Sequence, residues 1–270
     1  RTWGTNKIII DSNGLNYQGE DDTYTVEYNT DGETLSIVYA DATKGWIPLN
    51  DDEVTFDHGD PPTQKAIFGY GTTGSVTSLT NLVSSSGVVA SDVTGVGTAR
   101  AYVAAAGYGG DKGIFGYGDV TLSMTNLVSN SGVVASDVSG VGTGRHALAA
   151  TTYGTDKAIF GYGYTGSSVS MTNLVSSSGV VASDVTGVGT ARYAQGATGY
   201  GSTGQAIFGY GVVVSVVSMT NLVSNVGVVS ADVTGVGTAR WGSAATGYGG
   251  DKAIFGYGST GSNVSMTNLV

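Results

Sequence analysis

Residues 158–163 read Ala-Ile-Phe-Gly-Tyr-Gly, and this phrase or a near copy recurs with its phenylalanine at Phe68, Phe115, Phe160, Phe208 and Phe255, in steps of 47, 45, 48 and 47 residues. A period of this length marks a repeat architecture. Each copy is one supersecondary unit that buries its apolar faces against its neighbours. The seventeen residues Ser84 to Arg100 (SSSGVVASDVTGVGTAR) return unchanged at Ser176 to Arg192, so the copies must share one local structure.

Within a copy, four short apolar segments alternate with Gly, Ser, Asn and Asp turn signals, as at 193–200, 205–210, 216–223 and 227–233. No segment sustains a helical period, because Gly or a β-branched residue interrupts each candidate. The second segment is apolar on both faces, as a strand covered on both sides requires. The pattern predicts an all-β chain whose repeats, about 47 residues each, are the four-stranded blades of a β-propeller. A β-solenoid coil is usually shorter, at about 20 to 30 residues. Second and third strands occur five times and the passage ending at Arg100, Arg145, Arg192 and Arg240 four times, giving at least five whole or partial blades. The sequence stops inside a unit at Val270, which leaves ring closure open and predicts further blades beyond it.

Charge is confined to one part of the chain. Residues 1–64 hold three basic and thirteen acidic side chains, the whole net charge of −10, together with all three prolines. Two domains are expected: a small acidic β-module at 1–60, a linker at 61–64 around Pro61 and Pro62, and the repeat body at 65–270. In the module, Tyr24, Val26 and Tyr28 alternate before Asp31-Gly32, and Leu35, Ile37 and Tyr39 alternate after it, which predicts a hairpin.

These properties narrow the function classes. Cysteine is absent and only His58 and His146 are available, so thiolate chemistry is excluded and an imidazole metal site is hard to assemble. Neither part carries the basic stripe that nucleic acid needs, and no apolar run is long enough to cross a bilayer. No cofactor is expected, and neither nucleic-acid binding nor membrane insertion is.

The run GTARYAQGATGYGSTGQAIFGYG (residues 189–211) resembles the kelch repeat, in which an arginine opens the innermost strand and a short turn leads to an apolar strand ending in glycines. Here the kelch double glycine is split as Gly-Tyr-Gly, and the tryptophan of the outer strand is missing. The stretches NKIIIDSNGLNYQG and LSIVYADATKGWIPLNDD resemble a small domain of structural proteins of tailed bacteriophages, particularly those of marine cyanobacteria. That resemblance implies a virion protein, a tail fibre or surface appendage, with other virion proteins as partners. A host cell-surface glycan is the ligand to look for, and the neutral, glycine-rich body is compatible with a homo-oligomer.

Two residue sets are candidates for function. Arg100, Arg145, Arg192 and Arg240 each follow Asp92, Asp137, Asp184 and Asp232 by eight residues. They read either as a cationic ring for an acidic sugar or as structural pairs that fix the crossing between units; recurrence in every copy favours the pairs. The second set is what differs between near-identical copies: Tyr102, His146, Tyr193 and Trp241 just after the arginines, and Tyr164 after a Gly-Tyr-Gly. Flat amphipathic side chains at one end of the body suit stacking on sugar rings. No catalytic or metal-binding residue is assigned. Asp11-Ser-Asn-Gly reads as a plain turn, and a polysaccharide-degrading enzyme ranks below host recognition and pure decoration because the repeats show no acid pair outside the recurring sets.

Overall fold

The computed structural model describes residues 3–20, 23, 25–32, 34–49, 66–119 and 122–270. His58, Tyr24 and the linker at 61–64 with Pro61 and Pro62 lie outside them. The chain divides into two compact units, Arg1–Gln64 and Lys65–Val270.

In the first unit, β1 (Ile8–Ile10) pairs antiparallel with β2 (Val26–Tyr28), and β3 (Ile37–Asp41) with β4 (Gly45–Pro48). Its core gathers Tyr17, Val26 and Tyr28, with the two tyrosine hydroxyls hydrogen-bonded at 2.7 Å. The hairpin expected across Asp31-Gly32 does not form, since β2 and β3 take other partners. The turn that closes is the one after Asp41, whose Oδ1 accepts the N–H groups of Thr43 and Lys44 at 2.8 and 2.7 Å. Asp31 instead accepts the Gly4 N–H from across the unit, at 2.7 Å. Asp11 closes a local turn by accepting the Asn13 N–H at 2.8 Å.

The second unit is all-β. It opens with β5 (Ala66–Thr72) and β6 (Val76–Val83), and three-stranded antiparallel sheets follow. These are β7 (Ala104–Tyr108), β8 (Lys112–Gly116) and β9 (Thr125–Val128); β10 (Ala149–Tyr153), β11 (Lys157–Gly161) and β12 (Thr172–Val175); β13 (Gly196–Tyr200), β14 (Gln205–Gly209) and β15 (Thr220–Val223); and β16 (Ala244–Tyr248), β17 (Lys252–Gly256) and β18 (Thr267–Leu269). The first strands of successive sheets lie beside one another: β7 by β10, β10 by β13, β13 by β16. The middle strand is covered on both faces, and Ala158, Ile159 and Phe160 are fully buried.

The fourth segment of each copy differs from the regular strand expected. It joins the third strand through two isolated bridges, such as Thr172↔Val185 and Val175↔Val181, with three steps on one side and four on the other. One extra residue among Ala182, Ser183 and Asp184 makes this a bulge, which breaks the ladder and re-aims nearby side chains. The Asn173 side-chain amide fills the gap, donating to the Ala182 carbonyl at 3.0 Å and to Asp184 Oδ1 at 2.9 Å.

The Phe-Gly-Tyr-Gly motif is the contact between copies. Phe160 packs edge-on against Tyr117 of the preceding copy, ring centroids 5.1 Å apart, and Tyr162 receives Phe208 in the same way at 5.2 Å. The first glycine makes room, because a Cβ on Gly116 would stand 2.6 Å from the Phe160 ring. The tyrosine itself takes a left-handed backbone in every copy, φ 60 to 67° at Tyr70, Tyr117, Tyr162, Tyr210 and Tyr257. A non-glycine residue pays for that conformation with strain of about 1–2 kcal/mol. The contact it makes on its other face offsets that strain.

Candidate functional site

That other face carries the recurring arginine. Arg145 is fully buried, with its guanidinium carbon 4.4 Å from the Tyr117 ring centroid. Its Nε donates to the Tyr162 carbonyl at 2.7 Å, Nη1 to the Thr143 carbonyl at 3.0 Å and Nη2 to Asn173 Oδ1 at 2.7 Å. Arg100, Arg192 and Arg240 are equally buried and stack on Tyr70, Tyr162 and Tyr210. Burial pushes the Arg145 and Arg192 guanidinium pKa values down and those of the Tyr117 and Tyr162 hydroxyls up, Tyr162 to about 12.

The acidic partners come from a different copy than the spacing of eight suggests. Arg100 faces Asp137 at 3.8 Å, Arg145 faces Asp184 at 3.9 Å and Arg192 faces Asp232 at 3.9 Å, each the aspartate of the following copy. Asp92 accepts the Asn81 amide at 2.8 Å and is no partner of Arg100. Each paired carboxylate also ties down the strand that leads to its arginine: Thr143 donates its N–H and hydroxyl to Asp184, at 3.0 and 2.7 Å. Burial raises the pKa of Asp184, but hydrogen bonds from Thr143 and Asn173 outweigh it and hold the carboxyl below its ordinary value. Gly142, at φ 75°, lets this carboxylate approach, since a Cβ there would lie 2.3 Å from Asp184 Oδ1. Buried under tyrosines, the arginines offer no cationic ring to an acidic sugar, and Arg192 Nη2 and Arg240 Nε are enclosed without a hydrogen-bond partner.

The divergent residues lie next to these junctions. His146, Tyr193 and Trp241 directly follow their arginines and form bridges with Tyr164, Val212 and Ser259, the residues after Gly-Tyr-Gly. The next position is left-handed in every copy, at Tyr102, Ala147, Ala194 and Gly242 (φ 51 to 62°). Tyr102 is therefore the counterpart of Ala147, and Ala101 that of His146. Asp119, the counterpart of Tyr164, accepts the Ala101 N–H at 2.7 Å. Backbone bonds join the copies here, Ala194 N–H to the Ala147 carbonyl at 2.8 Å and Gly242 N–H to the Ala194 carbonyl at 2.9 Å.

On this frame the side chains meet. Ring centroids run Tyr102 to His146 at 6.0 Å, His146 to Tyr164 at 5.6 Å and Tyr164 to Tyr193 at 5.2 Å. Together with Trp241 they line one hollow of about 540 Å³, floored by Ala147, Leu148 and Ala194. Its lining is aromatic and aliphatic, with no Asp, Glu, Lys or Arg. His146 Nδ1 is buried and has no protein hydrogen-bond partner. The hollow thus offers flat apolar faces of the kind that hold a small ring-shaped ligand. Among the described residues, no three His, Asp or Glu side chains stand together as a metal site.

No protein-family model matches the chain, and no curated protein matches it.

Proposed function

We propose that this chain is a structural protein of a bacteriophage virion, a tail-fibre or surface-appendage subunit whose repeat body binds a host-surface glycan in the aromatic hollow. The observation that carries the reading is where the variation falls. Copies that are otherwise near-identical diverge at Tyr102, His146, Tyr164, Tyr193 and Trp241, and these five share one wall-to-wall hollow. On this reading the body is non-catalytic, its repeats are kelch-like blades of a β-propeller, and its other partners are virion proteins and further copies of itself. Sheets that meet through their first strands, with a bridged fourth segment outermost, support the blade reading.

The test is glycan or cell-envelope binding by the chain and by the double variant Tyr193→Ala, Trp241→Ala. Losing the two platforms weakens binding by at least tenfold, a loss of about 1.4 kcal/mol. Unchanged binding by the double variant overturns the reading. A second reading, decoration or connector, draws on Val88, Val133, Val180 and Val228, which are 64 to 66% exposed at the same place in each copy. It predicts stoichiometric incorporation into particles without affinity for cells. Electron microscopy of particles labelled against residues 65–270 separates the two by placing label at appendage tips or over the capsid and tail tube.

A further inference from the structure

A second hollow lies at the other end of the first strands. The aromatic hollow borders Leu148, just before β10, whereas this one borders Tyr153 and Thr155, at and beyond its end. Its volume is about 360 Å³. It opens where one copy departs from the others. Three copies connect their first two strands through a turn ending in Asp-Lys, at Asp111-Lys112, Asp156-Lys157 and Asp251-Lys252. In each, the lysine is paired with the adjacent aspartate, at 2.7 to 2.8 Å. The copy between them has a turn one residue longer, Gly-Ser-Thr-Gly at 201–204, and Gln205 in place of the lysine.

The exchange leaves an unused acceptor. Gln205 Oε1 is buried without a hydrogen-bond partner. It is admitted by Gly201, where a Cβ would stand 2.1 Å away. A buried carbonyl oxygen left without a donor costs about 1–3 kcal/mol, so turning the Gln205 side chain toward a ligand O–H or N–H group in the hollow relieves that cost. Around it stand the equivalent tyrosines of three copies: Tyr153 is buried in the core, while the half-buried Tyr200 and the exposed Tyr248 present ring surface. Lys252, the one charged residue of the lining, is paired with Asp251 outside it at 2.7 Å.

We infer that this hollow is a second saccharide site, sized for one neutral hexose ring whose hydroxyl donates to Gln205 Oε1 as that side chain turns into the hollow, while Tyr200 and Tyr248 pack against the ring. It extends the carbohydrate reading of the aromatic hollow but stands on separate residues. The chain then carries two contacts for a surface glycan, at opposite ends of its first strands, and simultaneous engagement raises avidity without any new contact.

The experiment is backbone-amide NMR of the isotope-labelled full chain titrated with the methyl glycosides of glucose, galactose, mannose and N-acetylglucosamine. Saturable shifts at Gly201 and Gly204 are expected with at least one of them. They should weaken at least tenfold in Gln205→Lys, a substitution that installs the residue three other copies carry, and persist in Tyr193→Ala, Trp241→Ala. Shifts at Ala194 and Gly242 report the aromatic hollow independently, so the two readings fail separately. Unmoved Gly201 and Gly204 amides with all four sugars, or equal shifts in Gln205→Lys, overturn the second site.

Discussion

Replacing Arg145 tests whether the stacked arginine, more than the apolar sheets, holds adjacent copies together. In Arg145→Met the carbonyls of Tyr162 and Thr143 and the Asn173 Oδ1 lose donors at 2.7, 3.0 and 2.7 Å, and Asp184 loses its counter-charge at 3.9 Å. Each orphaned acceptor costs about 1–3 kcal/mol. The cation over a desolvated ring adds about 2 kcal/mol. Asp184 is partly exposed and regains water, which keeps the ionic share small. With the three acceptors at the low end of their range the total comes to about 5 kcal/mol, the upper end for breaking a buried charged pair. Arg145→Lys keeps the charge over Tyr117 but cannot reach all three acceptors with a point-like ammonium, so about 2 kcal/mol is lost. The assay is hydrogen exchange of the β10, β11 and β12 amides beside urea unfolding of the whole chain. Protection should fall at this junction first, and the urea transition should broaden as the array separates into blocks. If Arg145→Lys and Arg145→Met both unfold within about 0.5 kcal/mol of the parent, the variation typical of surface substitutions, the junction is not held by arginine.

Alkali should loosen the same junctions. Desolvation raises the Tyr162 hydroxyl to about 12 from an unfolded value of 10.0, so its stabilising share is complete below pH 10 and is lost as pH rises toward about 12. Tyrosinate absorbance followed alongside unfolding checks this. Acid acts through the depressed carboxyls of Asp137, Asp184 and Asp232, whose contribution is present above the unfolded value of 3.8 and disappears as pH falls through their lower folded values. A urea midpoint that stays level from pH 5 to about pH 2 would contradict it. Gly142→Ala should cost several kcal/mol, because its Cβ meets Asp184 as well as a backbone at φ 75°, whereas Gly87→Ala, at φ 78° with open space around it, should cost only about 1–2 kcal/mol. Thermal melts of the two variants compare them directly. Tyr117→Phe removes a 3.2 Å hydrogen bond to the Val141 carbonyl and should cost about 1 kcal/mol, measured by urea midpoint.

Much of the fold can be read from the recurrence of Ala-Ile-Phe-Gly-Tyr-Gly, because a strand apolar on both faces at a fixed period has few architectures open to it. What the sequence conceals is pairing across identical copies. Every copy offers the same aspartate, so a spacing of eight inside one copy cannot be told from the approach of Arg145 to Asp184 in the next. The bulge in the fourth segment is hidden for a related reason: an extra residue is visible only once its partner strand is known. Tyr162's left-handed backbone gives no sequence signal beyond the glycines on either side. The aromatic hollow was legible because His146, Tyr193 and Trp241 break an otherwise repeated text. Tyr102 shows the limit of that method, since it occupies a position one residue later than theirs. Gln205 broke the text as plainly, but a turn that otherwise reads Asp-Lys invites dismissal as a solvated loop, and only the hollow beside it reveals the orphaned oxygen.

The arginine junction also bears on how such a chain changes over generations. Each junction is built by residues of adjoining copies in the same roles, so two copies brought together by recombination meet through parts already fitted to one another. The unchanged stretch shared by residues 84–100 and 176–192 shows two copies presenting identical parts to their junctions. Whole units can then be gained or lost without redesigning a seam. The aromatic positions beside each seam remain free to vary, so length and ligand preference can evolve on separate tracks.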